Sequence, residues 1–209
     1  VARELPVIPD LSKEKEQLMR KVIFKIELTL DGFIEGPKGE MDWVRANITE
    51  ENWEHVFDML STVDTVLMSR VIYQGFKEYW PPVAANPSSP KYEKNFSNWL
   101  NATPKIVFSK TLEKVDWMNS RLVKSDVGKE IARLKQQSGK NFIIWGGADF
   151  PQTLMNLGLI DEYWINVHPV IIGNGKPLFI DNKNRINFKL LNSQTFKSGT
   201  VGLCYQPIR

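Results

Sequence analysis

Only one cysteine, Cys204, stands in the 209-residue chain, which excludes an internal disulfide and a thiolate metal cage. Histidine is almost as scarce. His55 and His168 lie far apart with no ligand spacing around either, so no metal site is expected. No apolar run approaches the ~20 residues that a membrane-spanning helix needs. The opening stretch VARELPVIPDLSKEKEQLMRK is polar and lacks the apolar core of a signal peptide. These two absences make the cytoplasm the expected compartment, with no membrane partner. A basic run is missing as well. The 27 Lys and Arg against 24 Asp and Glu leave a net charge of +3, and the lysines are scattered among acids. A nucleic-acid partner is therefore not expected. Two common phosphate-binding signatures are also absent. No G-x-G-x-x-G follows the first strand, and no G-x-x-x-x-G-K-[ST] loop occurs, so any nucleotide site must use another geometry.

What is present describes an ordinary globular core. Apolar residues make up 42% of the chain and charged residues 24%. The length suits one α/β domain or two small ones. Residues 1–18 differ in character and read as an N-terminal extension, an arm or a remnant of cloning. Met19 would make a natural start, which leaves 19–209 as the main domain.

Residues 22–30 (VIFKIELTL) place Val22, Phe24, Ile26, Leu28 and Leu30 on one face, the alternation of a strand, and Asp31-Gly32 ends it with turn chemistry. Trp53, Val56, Phe57 and Leu60 follow helical spacing after a Thr49 cap. DTVLMS (64–69) reads as a buried strand and 70–79 as a helix. PPVAANPSSP (81–90) reads as a surface loop because of its prolines. A helix over 91–101, strands at 105–109 and 121–125, and a helix capped by Asp126 follow. FIIW, Gly146-Gly147, a helix from Pro151 to Leu157, a strand over 161–172 and β segments at 187–197 and 200–207 complete the chain. Alternating strands and helices with a β-rich end predict an α/β domain, with a mainly parallel sheet and an antiparallel hairpin at one edge.

In such sheets, ligands gather at the carboxyl ends of the strands. Four of those ends carry suggestive residues: Asp31-Gly32, Ser69-Arg70, Ser109-Lys110-Thr111 and Gly146-Gly147. The Gly pair admits two readings. It either packs a helix tightly on the sheet or lets a ligand approach the backbone, with the helix start beyond it offering N–H groups to an anion. Arg70 suits bidentate phosphate binding, against the alternative of a solvated charge. Asp31 is either half of a common Asp-Gly turn or a carboxyl whose apolar surroundings raise its pKa for proton donation. Trp43 and Trp80 are either loop elements around a substrate or anchors of loops on the core.

Taken in order, TLDGFIEGP (29–37), LMSRVIYQGF (67–76), KIVFSKTL (105–112) and residues 142–179 resemble the dihydrofolate-reductase-like superfamily. The branch is the one containing the reductase domain of riboflavin biosynthesis, and the resemblance covers about residues 20–207. It implies a three-layer fold that binds NADPH, or alternatively NADH, at the strand ends, and a two-fold homodimer. Gly146 and Gly147 would lie under the pyrophosphate, with Ala148 and Asp149 nearby and the Gly-Gly peptide often cis. Arg70 would touch the pyrophosphate from the other side. Ser109, Lys110 and Thr111 would face the adenosine, Lys110 meeting a 2′-phosphate. Asp31 would be the catalytic residue, and Glu35, Trp43, Trp80 and Pro169 would border the substrate. The implied reaction is reduction of a small pyrimidine- or pterin-like heterocycle or a carbonyl compound. One block departs from the family pattern Gly-Arg-x-Thr, reading Ser69-Arg70-Val71-Ile72 here. That departure motivates a second reading, a non-catalytic nucleotide-binding dimer of the same fold.

Overall fold

A computed structural model describes residues 19–209. The segment 1–18, expected to be an extension, lies outside the described residues. Ten strands and six helices follow in the order β1 (Val22–Thr29), β2 (Phe33–Glu35), α1 (Asp42–Asn47), α2 (Glu50–Leu60), β3 (Val63–Ser69), α3 (Arg70–Ala85), α4 (Lys91–Ala102), β4 (Lys105–Phe108), β5 (Ser120–Val123), α5 (Val127–Lys135), β6 (Asn141–Trp145), α6 (Asp149–Asn156), β7 (Glu162–His168), β8 (Lys176–Pro177), β9 (Phe188–Thr195) and β10 (Val201–Pro207).

Eight strands form one sheet in the order β5-β4-β3-β6-β1-β7-β10-β9, and β2 pairs with β8 in a small second sheet. The pairings from β5 through to β7 are parallel. β10 runs antiparallel to both β7 and β9, as the sequence led us to expect. Apolar side chains cover both faces of the sheet, which makes three layers. On one face Val22, Phe24, Ile26 and Leu28 of β1 pack with Ile131 and Leu134 of α5 and Leu154 and Met155 of α6. On the other face Ile23 and Ile143 meet Trp53, Val56 and Leu60 of α2, Tyr73 of α3 and Phe96 of α4.

Alternation placed Val22, Phe24, Ile26 and Leu28 in the core as expected, but β1 ends at Thr29 and Leu30 is exposed, and the other face of the strand is not solvent-exposed. All eight residues of β1 are buried, because the strand is central and helices cover the sheet on both sides. Lys25 and Glu27 therefore lie inside the protein, at 2% and 7% exposure.

The stretch expected to be a loop from residue 81 is instead helical to Ala85, with Pro81 and Pro82 inside α3. Proline's fixed φ is compatible with helix, and its cost is the hydrogen bond that its missing N–H would have made. Packing of Trp80 on Trp53, Phe76 and Phe96 holds this last part of the helix in place, and the Ser97 hydroxyl donates to the Trp80 carbonyl at 2.5 Å. The strand expected over 161–172 stops at His168, where Pro169 cannot donate to the ladder.

Candidate active site

The sheet order brings the carboxyl ends of β4, β3, β6, β1 and β7 side by side. Ser109 to Thr111, Ser69-Arg70, Gly146-Gly147, Asp31 and Pro169 thereby share one edge. β1 and β3, consecutive long strands in the chain, are separated in the sheet by β6. In open α/β sheets such a change of direction leaves a crevice at the strand ends.

β6 enters the crevice and turns sharply. The Gly146 N–H donates to the Lys25 carbonyl at 2.9 Å, and both glycines then take positive φ, 73° and 79°. L-residues rarely adopt that conformation, so the turn needs glycine for backbone reasons alone. No cis peptide bond occurs among the described residues, whereas the resemblance led us to expect one at this pair. α6 follows immediately, and no side chain caps its N-terminus. Its first-turn N–H groups, at the positive end of the helix dipole, are left for an acceptor. Asp149 at this start is exposed, with Lys176 Nζ 3.7 Å from its carboxylate.

Opposite stands the first turn of α3. Ser69 is its N-cap, accepting the Ile72 N–H at 3.3 Å, while Arg70 is exposed and donates to Gln74 at 3.2 Å. At the next strand end Ser109 Oγ accepts the N–H groups of Thr111 and Leu112, at 3.2 and 3.0 Å, which closes a turn that leaves Lys110 and Thr111 exposed. A depression of about 350 Å³ between α3 and residues 112–116 lies beside this edge, lined by Tyr73, Gln74, Lys77 and Asp116 among others.

Asp31 differs from expectation. It is exposed, and its carboxylate accepts the N–H groups of Gly173 at 2.8 Å and Ile172 at 3.4 Å. What desolvation there is pushes its pKa up, but hydrogen bonds from Thr29, Gly173 and Ile172 outweigh it and bring the value below the ordinary one. Asp31 is thus held as a carboxylate that ties the 169–175 loop to the end of β1. A raised pKa would have required an apolar cleft, which this position lacks.

Glu35 lies half-buried on β2 opposite Lys176 of β8. Pro169 is exposed at the end of β7, against Gly199. The tryptophans are not loop elements at the mouth. Trp43 is buried on α1, its ring 5.1 Å from that of His168, and Trp80 sits in α3 within the aromatic cluster. That cluster reaches the edge through Trp145, whose ring stacks 6.2 Å from Trp53.

Beneath the edge lies a group that the sequence reading passed over. Glu27 accepts from Lys25 Nζ at 2.5 Å and Asn166 Nδ2 at 3.3 Å, and its second oxygen lies 2.7 Å from His168 Nε2. Burial alone pushes the Glu27 carboxyl up, but the Lys25 charge, together with the His168 hydrogen bond, brings it down to about 2. The signal was present, as two opposite charges at i and i+2 in an apolar strand share one face. His168, at the end of β7, is wholly buried in this network.

The residues at the edge suit a dinucleotide. The uncapped start of α6, a Gly pair without side chains, the exposed Arg70 and the hydroxyl and ammonium groups of 109–111 supply donors along one line of strand ends. The mostly parallel α/β sheet with its antiparallel C-terminal strand pair belongs to the dihydrofolate-reductase-like class of fold.

The comparisons narrow that class. The family model of the RibD C-terminal domain matches residues 20–202, and the chain belongs to that family. An uncharacterised Bacillus subtilis protein, YyaP, is 38% identical over 186 residues, covering 89% of this chain and 94% of its own length. Among solved structures, a Shewanella sp. PV-4 protein ascribed to riboflavin biosynthesis superposes with a TM-score of 0.72 at 25% identity, over 91% of this chain and all of that one. Dihydrofolate reductase from Enterococcus faecalis, solved with NADP(H), shares the fold at a TM-score of 0.56 and 13% identity, over 90% of this chain and 97% of that one. Among the described residues no helix is long and apolar enough to cross a membrane, and no group of His, Cys, Asp and Glu could hold a metal.

Proposed function

We propose that this protein is an NADPH-dependent reductase of a small pyrimidine- or pterin-like heterocycle or a carbonyl compound, with NADH as the alternative cofactor. One observation carries the reading: the starts of α3 and α6 meet over Gly146-Gly147, at the edge where Asp31 and Ser109 to Thr111 also stand. Bound NADPH would supply a hydride to a C=N or C=O bond of the substrate. The N–H groups of Gly147, Ala148 and Asp149, with the Arg70 guanidinium, would hold the diphosphate. Ser109, Lys110 and Thr111 would take the adenosine side, where Lys110 favours the 2′-phosphate and hence NADPH.

Asp31 serves this chemistry as a carboxylate. Its lowered pKa suits it to orient a water that delivers the proton, and to keep the 169–175 loop closed against the end of β1. Glu35 and Pro169 flank the substrate on that side. Trp43 and Trp80 act from behind, as walls that fix His168 and the cluster around Trp145. The half-buried Trp145 ring gives a flat heterocycle a surface on which to stack.

The protein works in this reading as a cytoplasmic homodimer. In support, the edge strand β9 is exposed along its whole length and bears Phe188, Leu190 and Leu191. Sedimentation of the wild type and of L190K would test this, a monomeric wild type overturning it.

Titration with NADPH, followed by tryptophan fluorescence, tests the cofactor. Trp145 adjoins the Gly pair, so quenching is expected, and none at millimolar cofactor overturns the reading. A second reading, a nucleotide-binding dimer without turnover, is motivated by Ile72 against the Gly pair. Quenching with no NADPH oxidation across pterins, pyrimidines and carbonyl compounds would favour it.

A further inference from the structure

We propose that Ile72 restricts access to the Gly146-Gly147 seat, and that its bulk and lack of a polar group set how weakly this chain holds a dinucleotide diphosphate. The inference rests on the cofactor reading above.

Ile72 is the third residue of α3, and its backbone N–H is already used by Ser69 Oγ. Its side chain crosses from the start of α3 to the start of α6. Cγ1 and Cδ1 lie 3.2 and 3.4 Å from where a β-carbon on Gly147 would stand, and Cδ1 lies 3.8 Å from that position on Gly146. The space left by the missing glycine side chains is therefore lined by hydrocarbon. Around it the groups are of the opposite character, with the uncapped start of α6 on one side and exposed Arg70 on the other. A phosphate oxygen approaching the Gly pair sheds water against Ile72 and receives no hydrogen bond from it. The surrounding donors can bind the anion only around that side chain. Ile72 also belongs to the apolar layer under the sheet, packed with the cluster that contains Trp53 and Phe96. Packing thus holds it over the turn.

Ile72→Thr replaces the ethyl arm, Cγ1 and Cδ1, by a hydroxyl beside the same turn. One added hydrogen bond to a charged phosphate tightens binding by about tenfold. Ile72→Ala removes bulk without adding a donor and separates the two contributions. Binding of NADP+ and of inorganic pyrophosphate is measured by calorimetry, so no turnover is needed, and thermal melts confirm that each variant is folded.

About tenfold tighter NADP+ binding by I72T supports the proposal, and a gain in I72A as well assigns part of it to bulk. An I72T that binds NADP+ no better than a wild type that does bind it overturns the proposal and leaves the cofactor reading standing. Binding by I72T alone supports the proposal and overturns the reading of the native chain as an NADPH enzyme. No binding by either protein overturns both. Should I72T fail to fold, I72V and I72A carry the bulk part of the prediction, tighter binding that grows with the carbon removed, and no gain in either overturns it.

Discussion

Glu27→Gln should destabilise the protein by roughly 3–5 kcal/mol. The glutamate's ordinary pKa of 4.5 falls to about 2 in the folded chain. At about 1.4 kcal/mol per tenfold change in proton affinity, that difference is worth roughly 3 kcal/mol. A second argument reaches the same range. Lys25 is 2% exposed, and besides Glu27 its ammonium meets the Ile26 carbonyl at a long 3.4 Å and the face of the Trp145 ring, neither of which carries a compensating charge. Removing one partner of a buried ion pair leaves the other charge uncompensated, which costs about 3–5 kcal/mol. Urea unfolding at neutral pH measures the loss directly, and the melting temperature should fall by roughly 10 °C for a chain of this size.

The pH dependence carries its own sign. The folded value lies below the unfolded one, so the stabilisation is complete above about pH 4.5 and is lost as the pH falls toward 2. The gap between wild type and E27Q should accordingly be flat from pH 7 to about 4.5 and shrink below it. Removing the lysine charge as well, K25M with E27Q, should recover much of the loss, because no uncompensated charge remains and the amide still meets Asn166 and His168. A loss below about 1 kcal/mol for E27Q, or a gap that widens with acid, would refute the reasoning.

On the proposed reading, Asp31→Asn should lower the rate of NADPH oxidation by ~10²-fold or more while leaving NADPH affinity intact, because the carboxylate would act on the proton and the loop. An unchanged rate removes it from the chemistry. Lys105 is buried, and its ammonium donates to the carbonyls of Leu100, Thr103 and Asn101 at 2.6, 2.7 and 3.3 Å, closing the end of α4. Lys105→Met takes this donor from the Leu100 and Thr103 carbonyls, while Asn101 keeps the Asn119 amide at 3.0 Å, and should cost about 2–4 kcal/mol by urea unfolding. Gly175→Ala should open the β2–β8 pairing, since a β-carbon there would stand 2.2 Å from the Glu35 carbonyl oxygen. Amide exchange at 33–36 should rise in that variant, and unchanged protection would show that the loop absorbs the methyl.

Much of the architecture was legible because it rests on local periodicity. The alternation of VIFKIELT, the helical spacing from Trp53 to Leu60 and the Asp126 cap, whose carboxylate accepts the Lys129 N–H at 2.8 Å, are written over short stretches of chain. The strand-end motifs could be read for a similar reason, as each is a turn at the end of an apolar run. Local signals failed where a neighbour decides the outcome. Pro81 and Pro82 looked like loop residues until packing of Trp80 on Phe96 held α3 together through them.

The sequence by itself determined the α/β class, the parallel sheet with its antiparallel edge and the placing of candidate residues at strand ends, because strand and helix periods and turn residues act through adjacent positions. Only the tertiary structure decided what those residues meet. It set β6 between β1 and β3, turned Asp31 into a charged clasp on the 169–175 loop, and laid Ile72 across the Gly pair. It also closed Lys25, Glu27 and His168 into one buried network. Charge state and access depend on distance and dielectric across elements far apart in the chain, and sheet order alone supplies those.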